Sequence, residues 1–275
     1  GAPDPNGRAC HDGAMSPPAD PSLLDEAVAL TRRAGELTLG WFDRPDLVVA
    51  HKSDGTPVTH ADRAAERLIR EHLAANHALD AIVGEEEADV DGTSGVTWVI
   101  DPIDGTAAFT RGVPLYSNLL AVIDEHGPAI GVINLPALGT TVYAGRGLGC
   151  FRDGRPVHVS DRTAPADSVL STSSYSWWPE PALLGVKRAG YELRTWGDGY
   201  GYAMVAIGAI EAMVDPELSL WDIAPMPVVL GEAGGRVTTL DGSAPILAAG
   251  VQPSCVATNG AVHDDVLAAL AGAGT

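Results

Sequence analysis

The sequence predicts an α+β protein, and three features of its 275 residues support this class. Apolar residues recur at helical spacing in the first 80 residues. Short β-rich runs then follow one another with too little chain between several of them for a helical crossover, so we expect antiparallel pairing. After residue 160, helical and extended patterns alternate. The first part therefore predicts an α+β half, and the last part an α/β half.

Two helices are predicted before the first β-rich run. The first is amphipathic, with Ser22 as its expected cap and Asp25 three residues later. Its apolar positions are Leu23, Leu24, Ala27, Leu30, Ala34, Leu37 and Trp41. The second helix is expected from Thr59 to Asn76, with Thr59 as its cap and Asp62 in its first turn. Residues 51–57 predict a turn-rich loop or a short hairpin.

The strands of the first half are predicted at residues 81–83, 96–100, 118–123, 129–135 and 140–144. In the second half we expect strands at 169–172, 192–195, 236–239 and 255–258. Helices are expected at 203–212 and 221–233, and an Ala-rich helix at the end of the chain.

Three segments are predicted along the chain. Residues 1–20 are rich in Gly, Pro, Ala and Asp and are interpreted as a disordered or vector-derived leader, with Met15 as a candidate natural start. Residues 21–160 form the N-terminal half, and residues 161–275 the C-terminal half. We expect the two halves to form one compact catalytic unit.

Composition excludes several kinds of partner. The formal charge of -19 argues against nucleic acid and anionic membrane, because both attract Lys and Arg. No apolar run approaches the roughly 20 residues that span a bilayer. Cys10, Cys150 and Cys255 are widely separated and lack metal or redox spacing. These features predict a cytoplasmic protein.

Two carboxylates follow one apolar strand and form the most informative motif. Asp101 and Asp104 are separated by Pro102, which stiffens the turn, and Gly105 permits close backbone approach. If a short helix starts here, the amides of Gly105 and Thr106 lie at its N-terminus, where a phosphate is favoured. The turn therefore predicts cation ligands beside an anion seat.

Two further acidic positions extend this motif. Glu85 follows an earlier apolar run, and Asp222 opens a predicted helix. Oxygen ligands without His or Cys favour Mg²⁺, Mn²⁺ or Ca²⁺ over zinc, and Mg²⁺ is the natural choice with phosphate. The alternative is that residues 85–87 form a charged turn and that Asp222 is a solvated loop residue.

Several motifs occur in an order that resembles the inositol monophosphatase family from residue 22 onward. They are Lys52 to Thr59 with Asp62, Gly84-Glu85-Glu86, Asp101 to Thr106, Trp221-Asp222 and Glu232 to Gly235. The resemblance implies an αβαβα layered sandwich in which two or three Mg²⁺ ions, or Mn²⁺, bridge a phosphate ester. One ion would be held by Glu85, Asp101 and the Ile103 carbonyl, and a second by Asp101, Asp104 and Asp222.

The same resemblance implies the remaining roles. Glu85 would help to position a third ion. Thr106, held by Asp62, would orient and deprotonate the attacking water together with Glu85, and the Gly105 and Thr106 amides would hold the phosphate. No covalent enzyme intermediate is expected. The resemblance also implies a homodimer and inhibition by Li⁺.

The leaving group is expected to be set by the second half. Residues 194–202 and 216–222 resemble the histidinol-phosphate phosphatase branch of the family. A cationic amino alcohol would be attracted by Asp198 and Asp215, whereas inositol is uncharged. The predicted substrate-binding residues are Asp104, Gly105, Thr106, Arg194, Gly197, Asp198, Asp215 and Asp222.

These assignments have alternatives. Asp198 could cap a helix, Tyr200 and Tyr202 could belong to the core, Arg194 could pair with a surface carboxylate, and Lys52 could contact either metal-bound water or solvent. Trp177 and Trp178 could form the pocket wall or pack in the interior.

The sequence departs from the family pattern at two places, and these departures affect the prediction of the substrate more than the prediction of hydrolysis. Ala107 and Ala108 replace a usually polar pair, and Pro225 replaces a usual Ala. The competing functions are an inositol-phosphate or sugar-phosphate phosphatase and a non-catalytic metal- or phosphate-binding protein. A nucleotide 3′-phosphatase is less favoured, because the sequence shows no clear basic and aromatic cleft for an adenylate.

Overall fold

The computed structural model describes residues 16–51, 55, 57–248 and 250–272. The helices in these ranges are α1 Pro21–Leu39, α2 His60–Asn76, α3 Thr106–Phe109, α4 Glu180–Ala189, α5 Asp198–Ala206, α6 Leu220–Ile223, α7 Met226–Glu232 and α8 His263–Leu270. The strands are β1 Val49–His51, β2 Pro57–Thr59, β3 Ala81–Gly84, β4 Thr97–Asp104, β5 Ser117–Asp124, β6 Gly127–Leu135, β7 Thr140–Gly145, β8 Gly149–Arg152, β9 Arg155–Pro156, β10 Val169–Ser171, β11 Glu192–Arg194, β12 Ala212–Asp215, β13 Arg236–Thr238 and β14 Cys255–Thr258.

Helices and sheets alternate in five layers, as the resemblance implied. Helices α1 and α2 cover one face of a seven-stranded sheet with the order β3 to β9. Helices α5, α6 and α7 pack on its other face, and α5 and α7 also contact a five-stranded sheet with the order β11-β10-β12-β14-β13. Helices α4 and α8 form the outermost layer. The fold is therefore an αβαβα sandwich.

Helix α1 begins two residues earlier than predicted, and its cap is Asp20 rather than Ser22. The Asp20 carboxylate accepts hydrogen bonds from the Ser22 amide at 2.8 Å and the Ser22 hydroxyl at 2.7 Å. Pro21 suits the first helical position because the amide it lacks would have no intrahelical partner there. The prediction of Ser22 as the cap was wrong because it did not consider that Pro21 fits the first position of the helix.

The end of the predicted leader contacts the folded body. The Ala19 amide donates to the Arg146 carbonyl at 2.8 Å, and the Arg146 Nε donates to the Pro17 carbonyl at 2.8 Å. Residues 17–20 therefore pack against the sheet rather than extend from it. Cys10 and the candidate start Met15 lie outside the described residues.

Helix α2 confirms its predicted bounds and cap. The Thr59 hydroxyl accepts from the Ala61 amide at 3.1 Å, while Asp62 accepts from the Thr59 amide at 2.8 Å. This reciprocal arrangement is a capping box. Strands β1 and β2 confirm a short antiparallel hairpin before the helix. The loop residues 52–54 and 56 are not among the described residues; they include Lys52, for which contact with metal-bound water or with solvent was expected.

The seven-stranded sheet contains all five predicted strands of the first half, together with β8 and β9, which were not predicted. Its pairing is antiparallel except between β3 and β4, which are parallel. The prediction of antiparallel pairing was wrong there because residues 85–96 are long enough to return without a helix. The connection between these two parallel strands begins at Glu85, directly after β3.

The second half differs more from the prediction. Strand β12 lies where a helix was expected at residue 212, and the preceding helix, α5, runs from Asp198 to Ala206. Helix α4 was not predicted. The helix expected at 221–233 is divided into α6 and α7, because Pro225 cannot donate an intrahelical hydrogen bond. The predicted strands at 169, 192, 236 and 255 are confirmed.

None of the helices in the described part of the chain has the length and apolar character needed to cross a membrane.

Below the five-stranded sheet, His263 is fully buried between two threonines. Its Nε2 lies 3.0 Å from the Thr238 hydroxyl, and its Nδ1 lies 2.9 Å from the Thr258 hydroxyl. The Thr238 hydroxyl donates to the Thr239 carbonyl, so it accepts from Nε2, and Nδ1 is the acceptor of the pair. Burial, with a smaller contribution from nearby Arg236, lowers the pKa of His263 to about 4.

We expect His263 to make the fold less stable in mild acid. A histidine whose pKa is depressed by folding contributes stability above its unfolded pKa of about 6.5 and loses it as the pH falls toward the folded value. Between pH 7 and pH 5, this amounts to about 2 kcal/mol. Chemical denaturation at both values should show a weaker pH dependence for His263→Gln than for the wild type. Equal dependence would contradict the assignment.

Candidate active site

Strand β4 delivers two buried carboxylates to one end of the seven-stranded sheet. Asp101 and Asp104 are 2% and 7% exposed, and the register with β5 shifts between them. The Ile103 amide donates to Asp101 at 3.1 Å, which folds the chain around Pro102. This irregularity lets two residues that are three apart direct oxygen atoms to the same place.

A third carboxylate comes from the other half of the chain. Asp222 lies in the first turn of α6 and accepts a hydrogen bond from the Ser219 amide at 2.7 Å. Ligand oxygens of Asp101, Asp104 and Asp222 lie within 4.8 Å of one another. The sequence motifs separated by more than 100 residues thus meet in one cluster.

Glu85 adds a fourth carboxylate to the same cleft. It is half-buried, follows β3 directly and lies within hydrogen-bonding reach of Asp101. Its amide donates to the Ile100 carbonyl at 3.3 Å, which ties the start of the 85–96 segment to β4. The predicted glutamate is therefore beside the aspartates rather than in a distant charged turn.

The electrostatics of the cluster favour a cation. Burial raises the pKa of Asp101 well above its usual range, and the charges of Glu85, Asp104 and Asp222 raise it further. Burial likewise raises the pKa of Asp104, with added repulsion from Asp198 and Asp222. Carboxylates packed this closely are costly without a positive charge, and oxygen-only ligands suit a hard divalent ion. The residues present therefore fit a metal site.

Asp104 links neighbouring elements through one oxygen and belongs to the acidic cluster. Its Oδ2 accepts from the Ser117 hydroxyl and from the Gly199 amide, both at 2.5 Å. Its Oδ1 can serve as a ligand without breaking either bond. Since Gly199 belongs to α5, the Asp104 side chain also joins the two halves of the chain.

The turn after Asp104 forms the short helix α3, as predicted. Gly105 is its cap with a φ of 80°, and the Thr106 hydroxyl donates to the Ile103 carbonyl at 3.0 Å. A side chain at position 105 would place Cβ 2.6 Å from the Asp198 carboxylate. Glycine is therefore required both for the left-handed backbone and for the approach of Asp198.

Asp198 faces the acidic cluster across Gly105. Its own φ is 55°, a conformation that non-glycine residues seldom adopt, and its amide donates to the Ser173 hydroxyl at 3.0 Å. Burial raises the pKa of Asp198 to about 7, and the nearby charge of Asp215 contributes. The structure does not place Asp198 as a side-chain cap of α5, since Gly197 occupies the cap position.

Asp215 lies deeper in the cleft and is fully occupied by donors. Its Oδ1 accepts from the Thr172 hydroxyl at 3.0 Å and the Ser173 amide at 2.8 Å. Its Oδ2 accepts from the Ser173 hydroxyl at 3.0 Å and the Tyr202 hydroxyl at 2.8 Å. Asp215 therefore orients Ser173, which in turn holds Asp198.

Other predicted residues lie at the edge of the site or outside it. Arg194 pairs with Glu192 and stacks on Trp196, with the guanidinium carbon 5.6 Å from the ring centroid, so it is not in the cleft lining. Gly197 packs on Ser173 behind the cleft. Tyr202 is buried and donates its hydroxyl to Asp215, and it also lines the cleft.

The structure also shows where Asp62 and the two tryptophans lie. Asp62 is buried on α2, and its Oδ1 has no hydrogen-bond partner among the described residues. Trp177 lines the cleft and is 65% exposed, whereas Trp178 is buried and donates its ring N–H to Thr172. Of the two, only Trp177 is available to a ligand.

The cleft around these residues has a volume of about 400 Å³. Its lining includes the carboxylates described above together with Ser173, Trp177 and Leu218. Two supporting pairs were missed by sequence reasoning, namely Ser173 with Asp215 and Glu66 with Arg70. Glu66 and Arg70 follow Asp62 at four-residue spacing, and this periodicity was the available signal for a polar stripe on the inner face of α2.

The fold and the acidic cleft together define a metal-dependent phosphatase, and comparisons with known proteins agree. A model of the inositol monophosphatase family matches residues 20–274. The chain belongs to the inositol monophosphatase family and is a phosphoric monoester hydrolase.

Three relatives illustrate the similarity. A histidinol-phosphatase of Mycobacterium tuberculosis is 41% identical over 253 residues, which cover 89% of this chain and 96% of the relative. A histidinol-phosphatase of Streptomyces coelicolor is 38% identical over 266 residues, covering 91% and 98%. The solved structure of an IMPase of Thermotoga maritima has a TM-score of 0.82 and 30% identity, covering 91% of this chain and 97% of that one.

Proposed function

We propose that this protein uses Mg²⁺ to hydrolyse histidinol phosphate to histidinol and inorganic phosphate. The observation that carries the proposal is that Asp198 lies beside the Asp101, Asp104 and Asp222 cluster, across Gly105. A site for a phosphate and a buried carboxylate for a cationic group are thus adjacent in one cleft. The similarity to two histidinol-phosphatases supports the same substrate.

Asp101, Asp104 and Asp222 would hold Mg²⁺, with Glu85 and the Ile103 carbonyl as further ligands; two or three ions, or Mn²⁺, fit this donor set. When bound, Mg²⁺ lowers the pKa of a water and neutralises charge on the phosphoryl oxygens. The chain itself supplies preorganised ligands. Their fixed positions mean that little reorganisation is needed when substrate binds.

The attacking water would be oriented by Thr106 and Glu85, which line the same cleft. Glu85 would accept one proton as the water oxygen forms a bond to phosphorus. The bond between phosphorus and the ester oxygen breaks, and the departing oxygen takes up a proton from solvent water to give the alcohol. Thr106 donates to the Ile103 carbonyl in this structure, so its hydroxyl oxygen can accept a hydrogen bond from water. Asp62 would support Thr106 from α2 when the Thr106 hydroxyl turns its proton from the Ile103 carbonyl to Asp62 Oδ1, a buried oxygen with no hydrogen-bond partner among the described residues.

The phosphate would be seated at the turn after Asp104. The leading amides of α3, from Gly105 and Thr106, have no intrahelical acceptor and suit an anion. Asp222 would lie on the leaving-group side, where the ester oxygen departs. In this arrangement the phosphate would be held on one side by the bound metal and on the other by these two amides.

Selectivity for the leaving group would come from Asp198. The ammonium group of histidinol phosphate is attracted by a buried carboxylate, and a hydrogen bond to a charged group contributes about 1.5–3 kcal/mol. The exposed ring of Trp177 on the same cleft offers a flat apolar surface for an imidazole. Asp215 would act indirectly, since its four acceptor positions are already used.

Substitution of Asp198 by asparagine tests this assignment, because asparagine tolerates a positive φ and keeps the side-chain shape. We expect kcat/KM for histidinol phosphate to fall about 10- to 100-fold. For inositol 1-phosphate, kcat/KM should change by less than about threefold, since that substrate carries no ammonium group. Phosphate release from both esters is the measurement.

Glu217→Gln is the matched control, because Glu217 is an exposed carboxylate on the rim of the same cleft. It should leave the ratio of the two substrates unchanged. A wild-type preference for inositol 1-phosphate over histidinol phosphate would overturn the proposed substrate while keeping the phosphatase. We also propose a cytoplasmic location, on the cysteine usage described above, and a homodimer, on the family resemblance. Light scattering in solution checks the dimer.

A further inference from the structure

The Glu66 carboxylate on α2 is fully buried and binds the backbone that follows β3. Its Oε2 accepts from the Glu86 amide at 2.8 Å, and its Oε1 accepts from the Glu87 amide at 3.1 Å. These two amides directly follow Glu85. The conformation of the chain at Glu85 is therefore fixed by a side chain from another element.

Arg70 completes this attachment one helical turn later. Its Nε donates to Glu66 Oε1 at 2.7 Å, and its two terminal nitrogens donate to the carbonyls of Glu87 and Ala88, both at 3.0 Å. Arg70 is 8% exposed, so the pair is shielded from solvent. Buried charge-assisted hydrogen bonds of this kind are shorter and stronger than neutral ones. We call Glu66 and Arg70, with the backbone of residues 86–88, the α2 clamp.

Gly84 shows how closely the clamp is fitted. A Cβ at this position would lie 2.2 Å from Glu66 Oε1 and 2.8 Å from an Arg70 terminal nitrogen. The last residue of β3 must therefore be glycine for the carboxylate to reach the two amides. This contact provides a way to disturb the clamp without changing the charge of either member.

We propose that Glu66 and Arg70 are positioning residues for the metal site, which they control by fixing the backbone on the C-terminal side of Glu85. The inference rests on the proposed function, in that Glu85 is a Mg²⁺ ligand. Neither residue lines the cleft, so neither would touch metal or substrate. Residues that orient a ligand in this way commonly change metal affinity 10- to 100-fold when mutated.

Two near-isosteric substitutions test the inference in the full-length protein. Glu66→Gln keeps the volume but turns one acceptor into an NH₂ group, which then faces an N–H donor on whichever side it lies. Gly84→Ala pushes the intact carboxylate away through the new Cβ. We expect both to weaken Mg²⁺ binding about 10- to 100-fold. Isothermal titration with Mg²⁺ is the measurement, and it does not depend on turnover.

The control is Arg67→Gln, which removes an exposed ion pair to the Glu87 side chain at 3.2 Å. It lies on the same helix and reaches the same segment, yet it should leave Mg²⁺ affinity within about twofold of the wild type. A double variant adds a second criterion. Glu66→Ala removes the atoms nearest to the Cβ of Gly84→Ala and frees the Arg70 side chain, whose terminal nitrogen lies 2.8 Å from that Cβ, to move aside. In this background the second substitution should therefore weaken binding by less than about threefold.

If Glu66 and Arg70 served only to stabilise the fold, the substitutions would lower the melting temperature of the metal-free protein and leave the Mg²⁺ affinity of the folded protein unchanged. That result for both Glu66→Gln and Gly84→Ala would overturn the inference. If either variant is too unstable to titrate, Arg70→Lys, which keeps the charge but cannot bond both carbonyls, takes its place with the same expectation. A wild-type protein that binds Mg²⁺ but prefers another phosphate ester would overturn only the proposed substrate, whereas one that binds no divalent cation would overturn both.

Discussion

Asp104→Asn is expected to reduce kcat by at least about 10³-fold while the protein remains folded. The Oδ2 atom of Asp104 accepts from Ser117 and Gly199, and the asparagine oxygen can keep both bonds. Its NH₂ group then replaces Oδ1 and faces the cation with positive partial charge. Loss of this stabilisation corresponds to about 4 kcal/mol in the transition state. Steady-state phosphate release measures the effect.

The same variant should be more stable than the wild type when metal is removed. Neutralising one of several crowded carboxylates relieves the repulsion that raises the pKa values of Asp101 and Asp104. Asp91→Asn, which alters an exposed aspartate away from the cleft, is the control and should change neither turnover nor stability. Turnover of Asp104→Asn within about tenfold of the wild type would remove this residue from the metal site.

Addition of Mg²⁺ should raise the melting temperature by about 5 °C. A ligand present at 100 times its Kd stabilises the native state by about 2.7 kcal/mol, and for a chain of this size each kcal/mol corresponds to about 2 °C. The cause is the neutralisation of carboxylates that are buried together. Differential scanning fluorimetry after chelation and then with increasing Mg²⁺ measures the shift.

The shift should be reduced in Asp104→Asn, and Na⁺ added to the same ionic strength should not reproduce it. A melting temperature that is unchanged by millimolar Mg²⁺ in the wild type would contradict the metal site. A shift that is equal in wild type and variant would instead place the bound ion elsewhere.

Much of the fold was predictable because local signals and burial agree. Helix α2 has both its cap and its apolar stripe in the sequence, and the apolar runs of β4 to β7 alternate with clear turns. The errors occurred where a tertiary contact decides the outcome. Strands β3 and β4 pair in parallel because residues 85–96 are long enough to carry the chain back without a helix, and α2 holds the backbone of residues 86–88 in this segment. Segment β12 is a strand because it pairs with β10 and β14. Neither pairing has a local sequence signal.

The acidic residues of the candidate site could be predicted from the sequence, whereas the residues that support them could not. Asp101 and Asp104 share one turn, and the family resemblance linked them to Glu85 and Asp222 over long sequence distances. The supporting residues could not be assigned in the same way. That Asp215 is saturated by donors, or that Glu66 holds two amides near Glu85, depends on distances between elements that are far apart in the chain. Arg194 could only be placed outside the cleft once its partners Glu192 and Trp196 were known.

The site is divided unequally between the two halves of the chain, since Glu85, Asp101 and Asp104 come from the first half and Ser173 and Asp198 from the second. This division allows evolutionary change in one property without loss of the other. In the proposed mechanism, substitutions after residue 160 would alter which alcohol is recognised while most of the metal ligands are preserved. A change of substrate would then require substitutions around Asp198, with Asp222 as the carboxylate that this half contributes to the metal cluster.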